Sequence, residues 1–382
     1  MADGPNGPLP DPALVAEMAE MDDPELLLGW LVREPAWLES TSVAVTTLMV
    51  GVGTRAAVAE GRVTGVATRL SAIPHLLAGR LRPRVAVVGA HESSGGTWRL
   101  AANPGLALVA ARNADLIVVE RWPGPARPDA PMLLSSSERV VGVIDRSDPP
   151  DPPPSNRLGE AHARIGELVA GLVPAGATIQ WGPGAVGAAV VAALRTPVRV
   201  RSGLVTDELV KLAAAGYLEG SAEAAYLWGG EELEEMARNG MLHLRGVDYT
   251  HDVTAICGLE RFVAINTALQ VGIDGAANVE TVGARVVSGP GGHPDFALGA
   301  SASPGGLSVV ALPSTAGSAS TIVAVPDVVS TPRSDVDVVV TEQGVADLRG
   351  CDGAERARRM IAIAHPDARA QLEEAASRAK QG

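Results

Sequence analysis

Short apolar runs rich in β-branched residues alternate with helical patterns along most of this chain. In its first part such runs occur at 85–88, 116–119 and 140–144, and an Ala-rich helical segment at 106–112 separates the first two. Parallel strands are buried on both faces and are joined by crossover helices, so a parallel sheet produces this alternation. The pattern predicts an α/β fold in which helices cover both faces of the sheet.

The rest of the chain continues the pattern. An amphipathic helix is predicted at 158–172, where apolar residues recur at the i, i+3, i+4 and i+7 spacing of one helix face. A further helix is predicted near 23–34. The other expected strands are 178–181, 198–200, 262–266, 308–312, 321–325 and 337–341, and the other expected helices are 187–194, 207–215, 231–238 and 352–380, with a break at Pro366.

A proline-rich segment at 147–155 can hold neither a helix nor a central strand. It separates two regions that are each long enough to bury a core. The sequence therefore predicts an N-terminal α/β domain at 1–146, a linker at 147–157 and a second α/β domain at 158–382.

Charge and composition exclude several classes of function. The 382 residues carry a formal net charge of −13 without a basic run, which argues against a nucleic-acid partner. The N-terminus has no signal-peptide pattern, and no apolar run reaches the roughly 18 residues of a membrane span. Two cysteines, without metal-ligand spacing, predict neither a disulfide framework nor a metal site. We expect a soluble cytoplasmic protein that binds no metal and no membrane.

Two glycine-rich loops are candidate binding sites. Gly182–Gly187 follows a predicted strand and opens a predicted helix, where backbone N–H groups can approach an anion, although a tight turn also needs glycine. Gly291 and Gly292 could present amides to a developing oxyanion. The alternative for that second loop is a special turn in which Asp295 caps the next segment.

Carboxylates and a histidine form weaker candidates. Thr206 is a good helix N-cap, and a carboxylate at Glu208 in the first turn complements the helix dipole, which explains it without catalysis. His251 lies beside Asp252 in a predicted loop, where a histidine is usually just solvated. Cys257 is best explained as a small buried hydrophobic residue.

Several segments, taken in order, resemble the acetyl-CoA hydrolase/transferase family, which includes 4-hydroxybutyrate and butyryl-CoA:acetate CoA-transferases. The most specific is TPRSDVDVVVTEQGVADLRG at 331–350, followed by IAIAHP at 361–366. The segments FVAINTAL, GGHPDF and ALPST, the Gly182 loop and LVTD at 204–207 also fall in register. The similarity extends from about residue 85 to 376.

This resemblance implies a fold of two tandem CoA-transferase-like α/β domains, here with a shortened N-terminal one, and an active site between them. It implies CoA or acyl-CoA as substrate, and a Glu that attacks the thioester and becomes a glutamyl-CoA thioester. Gly203 occupies that nucleophile position in this chain. Gly292 matches a glycine whose amide faces the reacting carboxyl, and the CoA-contacting loop corresponds to Gly182, Pro183, Gly184, Ala185 and Val186.

Two other positions depart from the family pattern. His251 replaces an active-site Asn, and Gly317 stands where the family has a Lys near CoA. The usual first glycine-rich loop of the N-terminal region is not recognisable. The sequence thus retains the frame for an acyl-CoA and lacks the nucleophile for CoA transfer.

Three hypotheses follow. The first is thioester hydrolysis, or acyl transfer to a non-carboxylate acceptor, with His251 as general base, because an imidazole with a pKa near about 6.5 suits that role. The second is a non-catalytic CoA-binding protein or partner subunit. The third is true CoA transfer through Glu208. We expect either a homo-oligomer such as a dimer, or pairing with a homologous subunit.

Overall fold

The structure is a computed structural model that describes residues 3–9, 12–93, 97–101, 103–124, 126–133, 139–145, 151–152 and 154–379. The chain forms two compact units. The first comprises residues 1–153, 223–251 and 285–291, and the second comprises residues 154–222, 252–284 and 292–382. The predicted domain division stays a prediction, and part of its linker, 147–150 and 153, lies outside the described residues.

The first unit is built from short helices and strands. Its helices are α1 (Pro12–Met18), α2 (Arg55–Ala59), α3 (Ile73–Ala78), α4 (Gly105–Asn113), α8 (Glu231–Arg238) and α9 (Val247–Thr250). Its strands are β1 (Glu25–Leu28), β2 (Ala44–Thr47), β3 (Thr64–Gly65), β4 (Val85–Ser93), β5 (Thr97–Leu100), β6 (Leu116–Arg121), β7 (Met132–Leu133), β8 (Val140–Asp145), β12 (Leu242–Leu244) and β17 (Arg285–Val286).

The second unit has longer helices and a larger parallel sheet. Its helices are α5 (Glu160–Ala170), α6 (Ala185–Ala193), α7 (Glu208–Ala214), α10 (Val253–Cys257), α11 (His293–Ala302), α12 (Gly353–Ala362) and α13 (Pro366–Ala379). Its strands are β9 (Thr178–Trp181), β10 (Arg199–Val205), β13 (Phe262–Asn266), β14 (Gln270–Gly272), β15 (Ala277–Asn278), β16 (Thr281–Val282), β18 (Leu307–Ala311), β19 (Thr315–Ala316), β20 (Ala319–Ser320), β21 (Ile322–Val323), β22 (Val338–Thr341) and β23 (Gly344–Asp347). A further strand, β11 (Ala222–Leu227), begins where the first unit resumes.

The larger sheet of the first unit confirms the predicted strands at 85–88, 116–119 and 140–144. Its strands run in the order β7-β5-β4-β6-β8, and β6 pairs in parallel with both β4 and β8. Helix α4 packs on this sheet through Leu108 and Ala111, which join Val88 and Ile117 in one buried cluster. A separate parallel sheet has the order β1-β2-β3.

The sheet of the second unit determines where a ligand can bind. Its strands lie in the order β10-β9-β13-β18-β22-β23, and only β23 runs antiparallel to its neighbour. In this sheet the chain first forms β9, then β10 on one side of β9, and later β13 on the other side of β9. In open α/β sheets, ligands bind beyond the carboxyl ends of the strands where the strand order reverses in this way. That point lies between β9 and β13.

Helix α11 covers one face of β13 and runs opposite to it. Phe262 and Ala264 pack with Phe296 and Ala300 in one buried cluster. Ser303, just after the end of α11, accepts the N–H of Phe262 at the start of β13, at 3.1 Å. The N-terminus of α11 therefore lies at the carboxyl end of β13.

Most predicted elements are confirmed within two or three residues at their ends, and β9, β13 and α8 match the prediction residue for residue. The helix predicted near 23–34 is wrong, because Glu25–Leu28 forms β1 and pairs along its length with β2. Backbone pairing with a neighbouring strand outweighs the local helical pattern there. In the described part of the chain, no helix is both long and apolar enough to cross a membrane.

A buried carboxylate near the N-terminus joins distant parts of the first unit. Asp3 is 2% exposed and accepts hydrogen bonds from the N–H groups of Trp30 at 3.1 Å and Leu106 at 2.7 Å. It also accepts the hydroxyl of Tyr226 at 2.9 Å. Burial raises the pKa of the Asp3 carboxyl, and burial together with the Asp3 charge raises the pKa of Tyr226 well above its usual value. The carboxylate thus caps the N-terminus of α4 from a remote position in sequence.

A substitution at Gly187 in α6 tests how closely this helix packs against the residues that precede it. A Cβ on Gly187 would lie 2.2 Å from the carbonyl oxygen of Gly182 and 2.9 Å from Cδ1 of Trp181. Alanine is the better helix former by about 1 kcal/mol, but overlap with backbone costs more. We expect Gly187→Ala to lower the free energy of unfolding by about 2 kcal/mol, measured by denaturant titration.

The matched control is Gly353→Ala at the first residue of α12, where a Cβ would meet no described atom within 4 Å. It is expected to change stability by less than about 0.5 kcal/mol. Equal effects of the two substitutions would contradict the steric argument.

Candidate functional site

The Gly182 loop begins at the point where the strand order reverses. β9 ends at Trp181, and the N–H of Gly182 donates to the carbonyl of Ile265 at 3.1 Å, which extends the pairing with β13 by one step. Gly184 then adopts a φ of +115° and caps α6. L-residues with side chains rarely adopt that conformation, so glycine is required there on backbone grounds.

Open space lies over this loop. A Cβ built on Gly182 or on Gly184 would meet no atom of the described residues within 4 Å. α6 begins directly behind the loop and runs for nine residues, so the unpaired N–H groups of its first turn face this side. The loop residues Pro183, Ala185 and Val186, which the resemblance assigns to CoA binding, lie in the turn and in the first turn of α6.

Gly203 lies beside this loop on β10. The hydroxyl of Ser202 donates to the carbonyl of Trp181 at 3.3 Å, which holds this part of β10 against the end of β9. The Nε of Arg199 donates to Oγ1 of Thr178 at 3.4 Å, so these two residues lie on the same sheet face. Because side chains alternate along a strand, Gly203 lies on that face too.

A pair of buried amides occupies the same face, and sequence reasoning missed it. The Nε2 of Gln180 donates to Oδ1 of Asn266 at 3.2 Å. Both residues are buried, at 3% and 6% exposed, and their other amide atoms, Gln180 Oε1 and Asn266 Nδ2, have no hydrogen-bond partner among the described residues. The signal was present in the sequence, since both are polar residues within strands predicted to be fully buried.

Gly292 lies at the same edge of the sheet. It is the N-cap of α11, whose N-terminus lies at the carboxyl end of β13. The second unit therefore brings the Gly182 loop, Gly203 and Gly292 to one edge, together with the amides of Gln180 and Asn266. Asp295, in the first turn of α11, is fully buried.

His293 opens α11 and stays neutral. Its Nδ1 lies 2.7 Å from Oγ1 of Thr331, and the ring is 8% exposed. Burial lowers the pKa of His293 to about 4. At neutral pH this imidazole is therefore uncharged.

Glu208 has a different environment. Its carboxylate bonds to the hydroxyl of Thr206 and lies 3.8 Å from the Nζ of Lys211, one turn further along α7. It lines a pocket of about 170 Å³ together with residues of the segment before α5 and of α6. The other lining residues are Pro154, Asn156, Leu158, Ala188, Val191, Ala192, Asp207 and Lys211.

Gly317 lies in the tight turn between β19 and β20, with a φ of +63°. The hairpin follows β18 beyond its carboxyl end, and Ser314 at its base bonds to the carboxylate of Glu342 through both its N–H and its hydroxyl. The positive φ explains a glycine at this position.

The remaining two candidates belong to the first unit. His251 follows α9, is 1% exposed, and has its Nδ1 2.9 Å from Oγ1 of Thr250. Oγ1 of Thr250 also lies 3.3 Å from the carbonyl oxygen of Gly246. Gly291 has a φ of +58°, and its carbonyl accepts the N–H of Leu70 at 3.1 Å.

Metal-ligating residues are not grouped in the described ranges, where no set of three His, Cys, Asp or Glu side chains could hold an ion. The groups described at the edge of the second unit include amides, glycine backbone and helix N-termini, and Arg201 on β10 is buried as well.

This architecture has the α/β fold of CoA-transferase-like proteins. The chain is similar to the crystal structure of RipA from Yersinia pestis, with a TM-score of 0.85 and 26% identity, covering 97% of this chain and 91% of that one. It is also similar to the structure of a 4-hydroxybutyrate CoA-transferase from Porphyromonas gingivalis, with a TM-score of 0.76, 25% identity and coverage of 96% of each chain.

Sequence comparisons add named relatives. Residues 229–376 match the acetyl-CoA hydrolase/transferase C-terminal domain. The 4-hydroxybutyrate coenzyme A transferase of Clostridium kluyveri is 33% identical over 279 residues, 69% of this chain and 65% of that protein. The acetyl-CoA hydrolase of Saccharomyces cerevisiae is 39% identical over 126 residues, 31% of this chain and 23% of that protein. The chain spans 65% of the length of the first curated relatives that it matches.

The neutral His293 predicts a pH dependence of stability. Between its ordinary value of 6.5 and its native value of about 4, the unfolded chain binds a proton that the folded chain does not. The stability due to the neutral ring is complete above the unfolded pKa and is lost as the pH falls below it. We expect His293 to contribute a loss of about 2 kcal/mol between pH 7 and pH 5.

The measurement is denaturant unfolding of the protein and of His293→Gln at both pH values. The variant should lose this part of the pH dependence while the other histidines titrate as before. Parallel pH dependences for the two proteins would show that His293 is not buried as a neutral group.

Proposed function

We propose that this chain is an enzyme acting on acyl-CoA thioesters without a glutamyl-CoA intermediate, by hydrolysis or by acyl transfer to a non-carboxylate acceptor. Its relatives are named as CoA-transferases and as acetyl-CoA hydrolases, which supports CoA thioesters as the substrate class. The observation that carries the proposal is the position of Gly203, at the edge where the Gly182 loop leaves open space.

The second unit suits the anionic CoA at this edge. Free N–H groups and the positive end of the α6 dipole attract phosphate groups, even on a chain with a net charge of −13. The missing side chain at Gly203 leaves no carboxylate on β10 to attack the thioester carbonyl. A nucleophile must then come from outside the chain.

The proposed mechanism is direct addition of that external nucleophile. The amides of Gly291 and Gly292 stabilise the oxyanion that forms on the thioester carbonyl. His251 accepts the proton of the attacking group at Nε2, and the C–S bond then breaks to release CoA as a thiolate. A neutral imidazole supports this role, because one of its two ring nitrogens carries no proton and can accept one.

Two alternatives remain as outcomes of the test. A non-catalytic CoA-binding protein is favoured by the same glycine at 203 and by the absence of a lysine at Gly317. CoA transfer through Glu208 is disfavoured, because that carboxylate is already bonded to Thr206 and close to Lys211.

A thiol-release assay over a panel of acyl-CoAs, with and without acetate, separates these functions. We expect CoA release without acetate, and no acceleration when acetate is added. Release only with acetate would establish CoA transfer. Binding of CoA, seen as thermal stabilisation, without any release would establish the non-catalytic alternative.

A gain-of-function variant tests the importance of position 203. Gly203→Glu restores a carboxylate on β10, and we expect acetate-dependent CoA transfer to appear, together with a covalent adduct trapped by hydroxylamine. Gly203→Gln is the matched control, which has the same size without the nucleophile. Transfer by both variants, or by neither, would show that residue 203 does not face the thioester.

Replacing the proposed base should reduce turnover. We expect His251→Ala and His251→Asn both to lower kcat for CoA release by roughly 10²-fold. His365→Ala is the control, since that ring is partly exposed and lies 3.7 Å from Asp367. Unchanged turnover in His251→Asn would eliminate His251 as the base.

A further inference from the structure

The amide pair of Gln180 and Asn266 has bonding capacity that the protein itself does not use. One hydrogen bond joins the two side chains, and Gln180 Oε1 and Asn266 Nδ2 have almost no exposed surface and no partner among the described residues. A buried polar atom without a partner costs about 1–3 kcal/mol. Two such atoms on neighbouring side chains indicate a small occupant that bonds to both.

A second Gln–Asn pair in the same unit, Gln270 and Asn278, differs because its amide atoms all have partners. Nδ2 of Asn278 donates to Oε1 of Gln270 at 2.9 Å, and Nε2 of Gln270 donates to Asp327 at 3.1 Å. Oδ1 of Asn278 accepts two backbone N–H groups, from Glu280 and Thr281. Every amide atom of that pair has a hydrogen-bond partner, and the pair holds a turn together. In the Gln180–Asn266 pair, one oxygen and one nitrogen have no partner among the described residues.

The chemistry of the occupant follows from the two free atoms. One is an acceptor and the other a donor, and exchanging O and N in both amides would still leave one of each. A carboxylate has only acceptors, so it can bond to Asn266 Nδ2 but leaves the acceptor Gln180 Oε1 without a donor. Water and other small hydroxyl compounds both donate and accept, and therefore match the pair.

The pair lies on the same sheet face and at the same sheet edge as the candidate site. Asn266 is the last residue of β13 and follows Ile265, whose carbonyl accepts the N–H of Gly182. The space above Gly182 is open, and Gly203 lies on the same sheet face as Gln180. An occupant bonded to both amides is thus next to the open space that the proposed function assigns to the thioester.

We propose that Gln180 and Asn266 hold the acyl acceptor, and that this acceptor is a water molecule rather than a carboxylate. The inference rests on the proposed function and specifies its acceptor. The bound water donates one proton to Gln180 Oε1 and accepts the Nδ2 proton of Asn266, which leaves a lone pair and a second proton.

The reaction is balanced without a further reactant. The water oxygen bonds to the thioester carbonyl carbon, and its second proton passes to the general base. The C–S bond breaks, and the electron pair leaves with the CoA sulfur. The thiolate recovers the proton from the base or from solvent, so that the products are a carboxylic acid and CoA. The acid then loses its own proton to solvent at neutral pH.

The test compares nucleophile choice in three proteins. In the unmodified protein we expect hydrolysis of acyl-CoA, a methyl ester when methanol is added, and no acyl or CoA transfer to acetate. Gln180→Met keeps the length of the side chain and removes the acceptor, so kcat for hydrolysis should fall roughly 10²-fold with less than a threefold change in KM. The ratio of methyl ester to acid should change as well.

The matched control is Gln270→Met, which breaks the satisfied amide pair. It is expected to lower thermal stability while leaving kcat and the ester-to-acid ratio of the folded protein unchanged. Equal ratios in the unmodified protein and Gln180→Met, with normal kcat, would overturn the inference while leaving hydrolysis intact.

A crystal structure separates failure of the inference from failure of the proposed function. We expect electron density for a water within 3.2 Å of Gln180 Oε1 and Asn266 Nδ2, and its loss in Gln180→Met. If the unmodified protein releases no CoA from any donor but the water is present, the proposed function fails and the water site stands. If neither side chain contacts a water, the inference is wrong.

Discussion

The parallel pairing of β9 with β10 on one side and with β13 on the other is the constraint on which the candidate site depends. Both neighbours bring their carboxyl ends to the same edge, so residues from three distant stretches of sequence meet there without any long loop. The bond from Gly182 to Ile265 and the bond from Ser202 to Trp181 fix this edge from both sides. Because these bonds belong to the sheet, the loop glycines and the amides are positioned by the core rather than by flexible surface segments.

Position 203 and the amide pair illustrate two opposite ways in which a buried site departs from ordinary packing. Gly203 has no side chain, and the described residues leave open space over Gly182 and Gly184 in the neighbouring loop. At Gln180 and Asn266 two polar side chains remain in strands whose other residues are buried and mostly apolar, and their free atoms are costly unless something bonds to them. Natural sequences retain such costs mainly where a function needs them.

The sequence predicted the α/β class and most strands and helices of the second unit, because buried parallel strands are short apolar runs that differ clearly from amphipathic helices. It failed near residues 25–28, where pairing with β2 is a long-range interaction that no local pattern contains. The Gly182 loop could be found because glycine is required by backbone geometry. Gln180 could not be recognised in the same way, since its importance depends on a bond to Asn266, 86 residues away, and on the lack of any further partner.

The carboxylate of Asp3 has a consequence for how the chain is made. Its hydroxyl partner, Tyr226, lies 223 residues later, and the first unit also needs residues 285–291. At ribosomal rates of about 5–20 residues per second, this partner becomes available only on the order of tens of seconds after Asp3 has been synthesised. The N-terminal part therefore leaves the ribosome before the hydroxyl of Tyr226 can bond to Asp3. Completion of the first unit also follows synthesis of residues 154–222 and 252–284 of the second, because residues 285–291 are made after both.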